Sequence, residues 1–339
     1  PVKVFSNTGV EKLFVVTTDY ETGSYSTVNL TDWSTDNSIG SIHSDAVAQY
    51  YRDKIYVINR LYGDNIEVFN TSDLTNPILQ FSTGALSNPH YMAFLSEEKA
   101  YITLYGETYL LVVNPSTGDE ITQIDLSSYA DDDGIPEMSP MVMLNGKLFV
   151  AIQRLDRNNN WAPTDYSLVV VIDTTTDTVI QEITLTGKNP IAMSYNPLID
   201  KIIVCEVGSY YSIGDGGIET IDPTTYQAEG FKVTETTLEG NLAGMYNPIV
   251  LVNENKGYAL ISDSSWNTSI VKFNLDTGEN LGTIDAPETG FSHSDLNLIG
   301  KDLILAYRPY TEATGIRIFD TSNDNELTTT PIDVGLPPS

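Results

Sequence analysis

The chain has 339 residues, of which 46 are acidic and 17 are Lys or Arg, for a formal net charge of −29. That balance repels phosphate backbones and anionic lipid headgroups, so nucleic acid is not expected as a partner and anionic membrane surfaces are disfavoured. Hydrophobic residues make up 41% and charged residues only 19%, which supplies a sizeable core and argues against disorder.

The 20 Tyr, with many Val, Ile and Thr, favour strands. No apolar run approaches the roughly 18 residues that would make a spanning helix. Cys205 is the only cysteine and sits in a β-rich run, so we expect a buried, inert thiol. One cysteine allows neither an internal disulfide nor a cysteine metal site. The chain opens at Pro1 without Met or a signal peptide, which suggests a mature form with its targeting segment outside this sequence.

In chain order, the first element is a hairpin: Val2 to Phe5, a turn through Asn7-Thr8-Gly9, then Glu11 to Val16. A β run from Tyr25 to Asn29 follows, ending on an Asn before a turn. That pattern returns at Ile66 to Asn70, Leu110 to Asn114, Leu168 to Asp173, Ile218 to Asp222, Ile270 to Asn274 and Ile316 to Asp320. Asn and Asp suit these ends because their side chains bond backbone amides in the turn. The markers recur 41 to 59 residues apart. A period of this size, with short strands and no helical pattern, predicts propeller blades. The hairpin recurs before the markers too, with Asn145-Gly146 as its strongest turn signal. The expected fold is therefore all-β: a seven-bladed β-propeller with four antiparallel strands per blade, A to D in chain order. Residues 1–339 form a single domain in this reading, with no swapped strand closing the ring.

In a propeller the D-to-A connections and the B-to-C loops share one face, and function concentrates in such loops. All three histidines, His43, His90 and His293, fall at D-to-A connections, beside Met138, Met141, Asn189 to Met193 and Met245 to Pro248 in other blades. They should ring the channel mouth, where they either bond loop backbone or contact a ligand or metal. Arg60, Arg154 and Arg308 end strand B in matching tripeptides and suit planar or anionic groups, or else an acid on a neighbouring blade. The B-to-C loops carry Tyr20, Tyr62, Tyr105, Trp161, Tyr210, Tyr211, Trp266 and Tyr310, several of them among Gly, Ser, Asp and Asn. These rings either pack buried between blades or stand exposed in the loops, where Tyr and Trp give rigid contact area for a ligand.

Other motifs say less. His43-Ser44-Asp45 and His293-Ser294-Asp295 are not expected to be catalytic triads, because adjacent residues on an extended chain point apart. No hydrolase, zinc-protease or phosphate-loop motif occurs, so no enzyme activity and no required cofactor is expected. Asp156, Asn158 and Asn160 are candidate calcium ligands, although the sixth position is Trp161 rather than Gly and the twelfth is Ser167 rather than Glu.

The Asn-Pro-x-x-Met segments before hairpins, and Val113-Asn-Pro-Ser-Thr-Gly-Asp-Glu-Ile121, resemble the YncE-like propeller superfamily over essentially the whole chain. Within it, the length, acidity and loop aromatics resemble surface-exposed propeller lipoproteins of Bacteroidetes, one branch of which, the BtuG type, captures vitamin B12. The resemblance implies a cell-surface, outer-membrane lipoprotein whose lipid anchor lies upstream of Pro1. It would bind a corrinoid, cobalamin, on one face and pass it to a TonB-dependent outer-membrane transporter. A glycan-binding or adhesive surface propeller, and a calcium-dependent lactonase or lyase, remain open beside it.

Overall fold

A computed structural model describes residues 2–7, 9–210, 212, 214–244 and 247–339, and the side chains of all of these except Asn7 and Ala286. Seven antiparallel sheets follow one another along the chain. Blade 1 comprises Val2–Asn7, Val10–Thr18, Gly23–Asn29 and Thr35–Ile42 as strands A to D. Blade 2 is Ala46–Tyr51, Lys54–Asn59, Asn65–Asn70 and Leu79–Ser82. Blade 3 is Pro89–Phe94, Ala100–Leu104, Tyr109–Val113 and Glu120–Asp125. Blade 4 is Met138–Leu144, Lys147–Ile152, Leu168–Asp173 and Thr178–Thr184, with a small hairpin, Leu155–Asp156 against Ala162–Pro163, inserted between B and C. Blade 5 is Pro190–Asn196, Lys201–Glu206, Gly217–Asp222 and Gln227–Thr234. In blade 6, strand A is two pieces, Asn241–Leu242 and Ile249–Asn253, both paired with Lys256–Ser262; Thr268–Phe273 and Asn280–Glu288 complete the sheet. Blade 7 is His293–Ile299, Asp302–Tyr307, Gly315–Asp320 and a two-residue D strand, Asn325–Glu326.

The marker at each strand-C end acts as its chemistry predicts. In all seven blades its Oδ1 accepts the backbone amide two residues on: Thr31, Ser72, Ser116, Thr175, Thr224, Asp276 and Ser322 bond to Asn29, Asn70, Asn114, Asp173, Asp222, Asn274 and Asp320 at 2.8–2.9 Å. Asn145 and Gly146 both take positive φ, 50° and 72°, between paired Leu144 and Lys147, as a two-residue hairpin demands. The tip of the first hairpin, at Thr8, lies outside the described residues.

The buried apolar residues fall into seven clusters, each drawn from two adjacent blades. Phe14 and Tyr25 of blade 1 pack with Ile55 and Phe69 of blade 2, and Leu13 and Val28 pack with Ile304 and Ile318 of blade 7. Stability therefore comes from blade-to-blade burial repeated around a ring. The ring closes without a swapped strand. The segment after Pro331 returns across the joint instead: Ile332 bridges Ile316 of blade 7, and Thr17 of blade 1 bridges Pro338. Val334 joins the cluster between these blades, and Ser26 Oγ donates to its carbonyl at 2.7 Å. Cys205 is buried, and burial pushes its thiol pKa up, as expected of an inert core residue. Among the described residues, no helix is long and apolar enough to cross a membrane.

Candidate functional site

Strand A of each blade lines the axis. A cavity of about 330 Å³ there is walled by residues from all seven blades, including Lys3, Gln49, His90, Ser139, Met193, Asn247 and Asn297. Two further cavities, of about 370 and 470 Å³, open from it on the face of the B-to-C loops. Arg60 borders all three. Tyr210 is shared by the axial cavity and the second, and Tyr20 and Arg308 by the second and third. The three thus form one branched mouth.

Ten of the predicted histidine, arginine and aromatic side chains meet there, Tyr20 among them in the second and third cavities. His90, Tyr105, Tyr210 and Arg60 line the axial cavity; Trp266, His293 and Arg308 join Arg60 and Tyr210 in the second; His43 and Tyr62 border the third. Arg154, Trp161 and Tyr310 line none of them. Tyr310 stays 78% exposed on the outside of its loop. Tyr211 and Met245 lie outside the described residues.

The three arginines do not occupy equivalent places, which corrects the tripeptide match. Strand B of blade 2 runs through Asn59 and that of blade 7 through Tyr307, so Arg60 and Arg308 are the first residues beyond it. Their amides bond the carbonyls of Asp45 and Ser292. In blade 4 the strand ends at Ile152, and the equivalent bond, to Glu137, is made by Gln153. Arg154 is one step further and takes φ 56°, which turns it away. It bonds the carbonyls of Tyr129 and Ala130 and stacks on Tyr166, its guanidinium carbon 4.1 Å from the ring centre. Buried Gln153 fills the channel position, its amide on Asn189 Oδ1 at 2.8 Å.

The two arginines that do face the mouth differ in charge balance. Arg60 forms an ion pair with Asp45 through Nε, at 2.9 Å, and through Nη2. Arg308 is only 9% exposed, lies 4.4 Å from the Tyr20 ring centre, and donates to the carbonyls of Pro338 and Thr18 at 3.3 and 3.4 Å. Those are long for bonds from a cation, which run to about 2.7–2.9 Å onto carboxylates.

On the blade 3 side the site is a ladder of rings. His90 stacks on Tyr105 with centroids 4.1 Å apart, and Tyr105 stacks on Trp161 at 6.1 Å. Trp161 thus reaches the mouth through Tyr105, while 47% of it stays exposed on the blade 4 hairpin. Arg157 lies over Trp161 and bonds the Tyr105 carbonyl and buried Glu137. Burial pushes Glu137 up to about 7 despite the Leu155 amide and Arg157. His90 is held well below the ordinary imidazole range, first by burial and then by Arg60, so it is neutral and able to coordinate or to donate one hydrogen bond. Burial likewise raises Tyr105 and Tyr210, which stay protonated phenols.

The other two histidines are tied down. His43 Nδ1 meets the Asp45 backbone amide at 3.1 Å. His293 uses Nδ1 on Thr268 Oγ1 at 2.8 Å and Nε2 on Asp285 at 2.9 Å. Ser294 Oγ donates to the carbonyls of Ala306 and Pro338, so His293-Ser294 makes no nucleophile–base pair. Asp285, Glu288 and His293 place ligand-type atoms within 4.8 Å of one another. The Arg317 guanidinium already bonds both oxygens of Asp285 and stands 3.5 Å from Glu288, so a cation occupies that cluster.

The candidate calcium residues form a capped turn. Asp156 Oδ1 accepts the Asn158 amide at 2.9 Å, its carbonyl accepts the Trp161 amide, and Asn160 takes the left-handed conformation. This side chain is occupied in shaping the hairpin tip that carries Trp161, and Asp156 is the only carboxylate of the three. Reading by motif missed Asp45, Gln153, Phe291 and Glu137, because each gains its role from a partner distant in sequence.

No protein-family model matches the chain, and no curated protein matches it in sequence. The likeness is to solved propellers. The WD40 domain of Pan2 from Neurospora crassa has a TM-score of 0.59 at 9% identity, over 90% of this chain and 84% of that one. Dihydro-heme d1 dehydrogenase NirN, in complex with DHE, has 0.58 at 13% identity, over 95% and 73%. Apo AztD from Citrobacter koseri has 0.57 at 10% identity, over 97% and 96%. At such identities the fold alone is shared.

Proposed function

We propose that this propeller is a binding protein that captures a large ligand in the branched mouth, and that the ligand is a corrinoid. The observation that carries the reading is the joining of three cavities by shared walls, Arg60, Tyr210, Tyr20 and Arg308. A large flat molecule rimmed by amides would seat on such a surface. Rings of Tyr20, Tyr105, Tyr210 and Trp266 offer its faces apolar contact, and arginine, asparagine and phenol groups meet its rim. His90, neutral and beside the axis, is in the state a metal ligand needs. Delivery to a TonB-dependent transporter at the cell surface is part of the same proposal and rests on the family resemblance. No catalysis is proposed: His90 Nδ1 meets Ser139 Oγ at 3.3 Å in the axial cavity, but among the described residues no acid pairs with that imidazole.

Isothermal titration of cyanocobalamin into the full chain tests this. The expected result is 1:1 binding without turnover, weakened about tenfold or more by Tyr20→Ala or Trp266→Ala. Absence of heat and of any absorbance change removes the corrinoid. A glycan-array signal in its place would favour a sugar ligand, for which Tyr62, 76% exposed, and Trp161 stand ready at the rim.

A further inference from the structure

The second cavity is unusual for this protein. The chain carries 46 acidic residues, yet among the described residues no Asp or Glu lines this space. Two of the 17 Lys and Arg do: Arg60 and Arg308. Its other walls include Tyr20, Tyr210, Trp266 and Phe291, with Trp266 and Phe291 packed at 5.3 Å.

Arg308 is the key group. A buried charge is costly unless paired and hydrogen-bonded. Arg60 meets that need with Asp45. Arg308 has no carboxylate within 4 Å among the described residues, and its guanidinium bonds are the two long ones to carbonyls. The two sites are built on the same backbone bond, from the arginine amide to a carbonyl at the D-to-A connection. That carbonyl belongs to Asp45 in blade 2 and to Ser292 in blade 7. Blade 7 therefore lacks its acid at the matching position. Ser292 instead turns its hydroxyl to the carbonyls of Thr289 and Gly290.

We propose that the second cavity is a pocket for an organic anion, which presents a carboxylate to Arg308 and lays an apolar, ring-sized body between Tyr20, Trp266 and Phe291. The guanidinium fork matches a carboxylate, and the cavity of about 370 Å³ holds a ring-sized body. This rests on the mouth being a ligand site but not on the ligand being a corrinoid.

The probe is benzoate, with benzamide as its uncharged partner of similar shape, titrated into the full chain by ligand-observed NMR. Benzoate should bind about tenfold or more tightly than benzamide. Equal affinities, or no benzoate binding, overturn the proposal without any variant being made. Arg308→Gln should erase the preference and Arg308→Lys should keep part of it, with a thermal melt confirming that each folds. A preference that survives Arg308→Gln in a folded variant also overturns it. Cyanocobalamin titration reports separately. Corrinoid binding with no benzoate preference removes the anion pocket alone, and the reverse result removes the corrinoid alone.

Discussion

Blade 5 and blade 7 each bury an ionisable group without an opposite charge, and they resolve it differently. In blade 5, Glu206 is fully buried with no cation beside it, and its polar neighbours are the Gly187 amide and the Glu219 carboxyl. Its neighbour Glu219 is another acid, already bonded to Thr186 and Gly230. Burial, and after it the Glu219 charge, push Glu206 well above the carboxylate range, so it keeps a proton and can donate to Glu219. A guanidinium has no such escape, since it stays charged throughout the range in which proteins fold. Arg308 must keep its charge and find an anion elsewhere. The contrast teaches that an unpaired buried acid in this fold reports on pH, whereas an unpaired buried arginine facing a cavity reports on a ligand.

Three substitutions would break or sharpen the contrast. The largest effect is expected from Arg308→Met, which removes an uncompensated charge but keeps an apolar stem. Without ligand it should stabilise the chain by about 1–4 kcal/mol, equally at pH 4.5 and pH 8, while abolishing the benzoate preference. Destabilisation at both pH values would show that the two carbonyls and Tyr20 already satisfy the cation. Glu206→Gln comes next and should depend on pH. A carboxyl whose folded pKa is raised costs nothing below its unfolded value, near 4.3, and costs more as pH climbs toward the folded one. The variant should match the parent at pH 4.5 and melt about 2–4 °C higher at pH 8. Glu137 and Glu235, both raised by burial to about 7, weaken the parent over the same window. A pH-independent effect would contradict the shared proton. The smallest effect belongs to Asp45→Ser, which copies Ser292 into blade 2. The Asp45 side chain is 32% exposed, so its loss should cost about 1 kcal/mol or less and raise benzoate affinity severalfold by removing the acid from Arg60.

The fold was legible because its signal is local. An Asn or Asp at a strand end fixes the following turn by itself, so seven copies announced seven blades. The closing segment was not legible: Ile332 to Ser339 has no alternation and is rich in Pro and Gly, and its value lies in contacts made some 300 residues away with Thr17 and Ser26. The mouth was partly legible for the same reason. Arg60 and Arg308 follow strand B directly, and the histidines follow the D-to-A connections. Arg154 misled because its tripeptide looks the same while its strand stops one residue sooner. Glu206 carried no signal of its own, and only the pairing of strands B and C in blade 5, with Glu206 opposite Gly217 and Val204 opposite Glu219, sets it beside Glu219.

A ligand seated in the mouth should shield the loops that surround it. Hydrogen exchange of the full chain, free and saturated with cyanocobalamin, would test it. Amides should slow at 18–22, 60–62, 262–268 and 305–310, with no change in the opposite-face turns at 115–119 and 275–279. Slowing confined to those turns, with the mouth unaltered in a saturated sample, would contradict it.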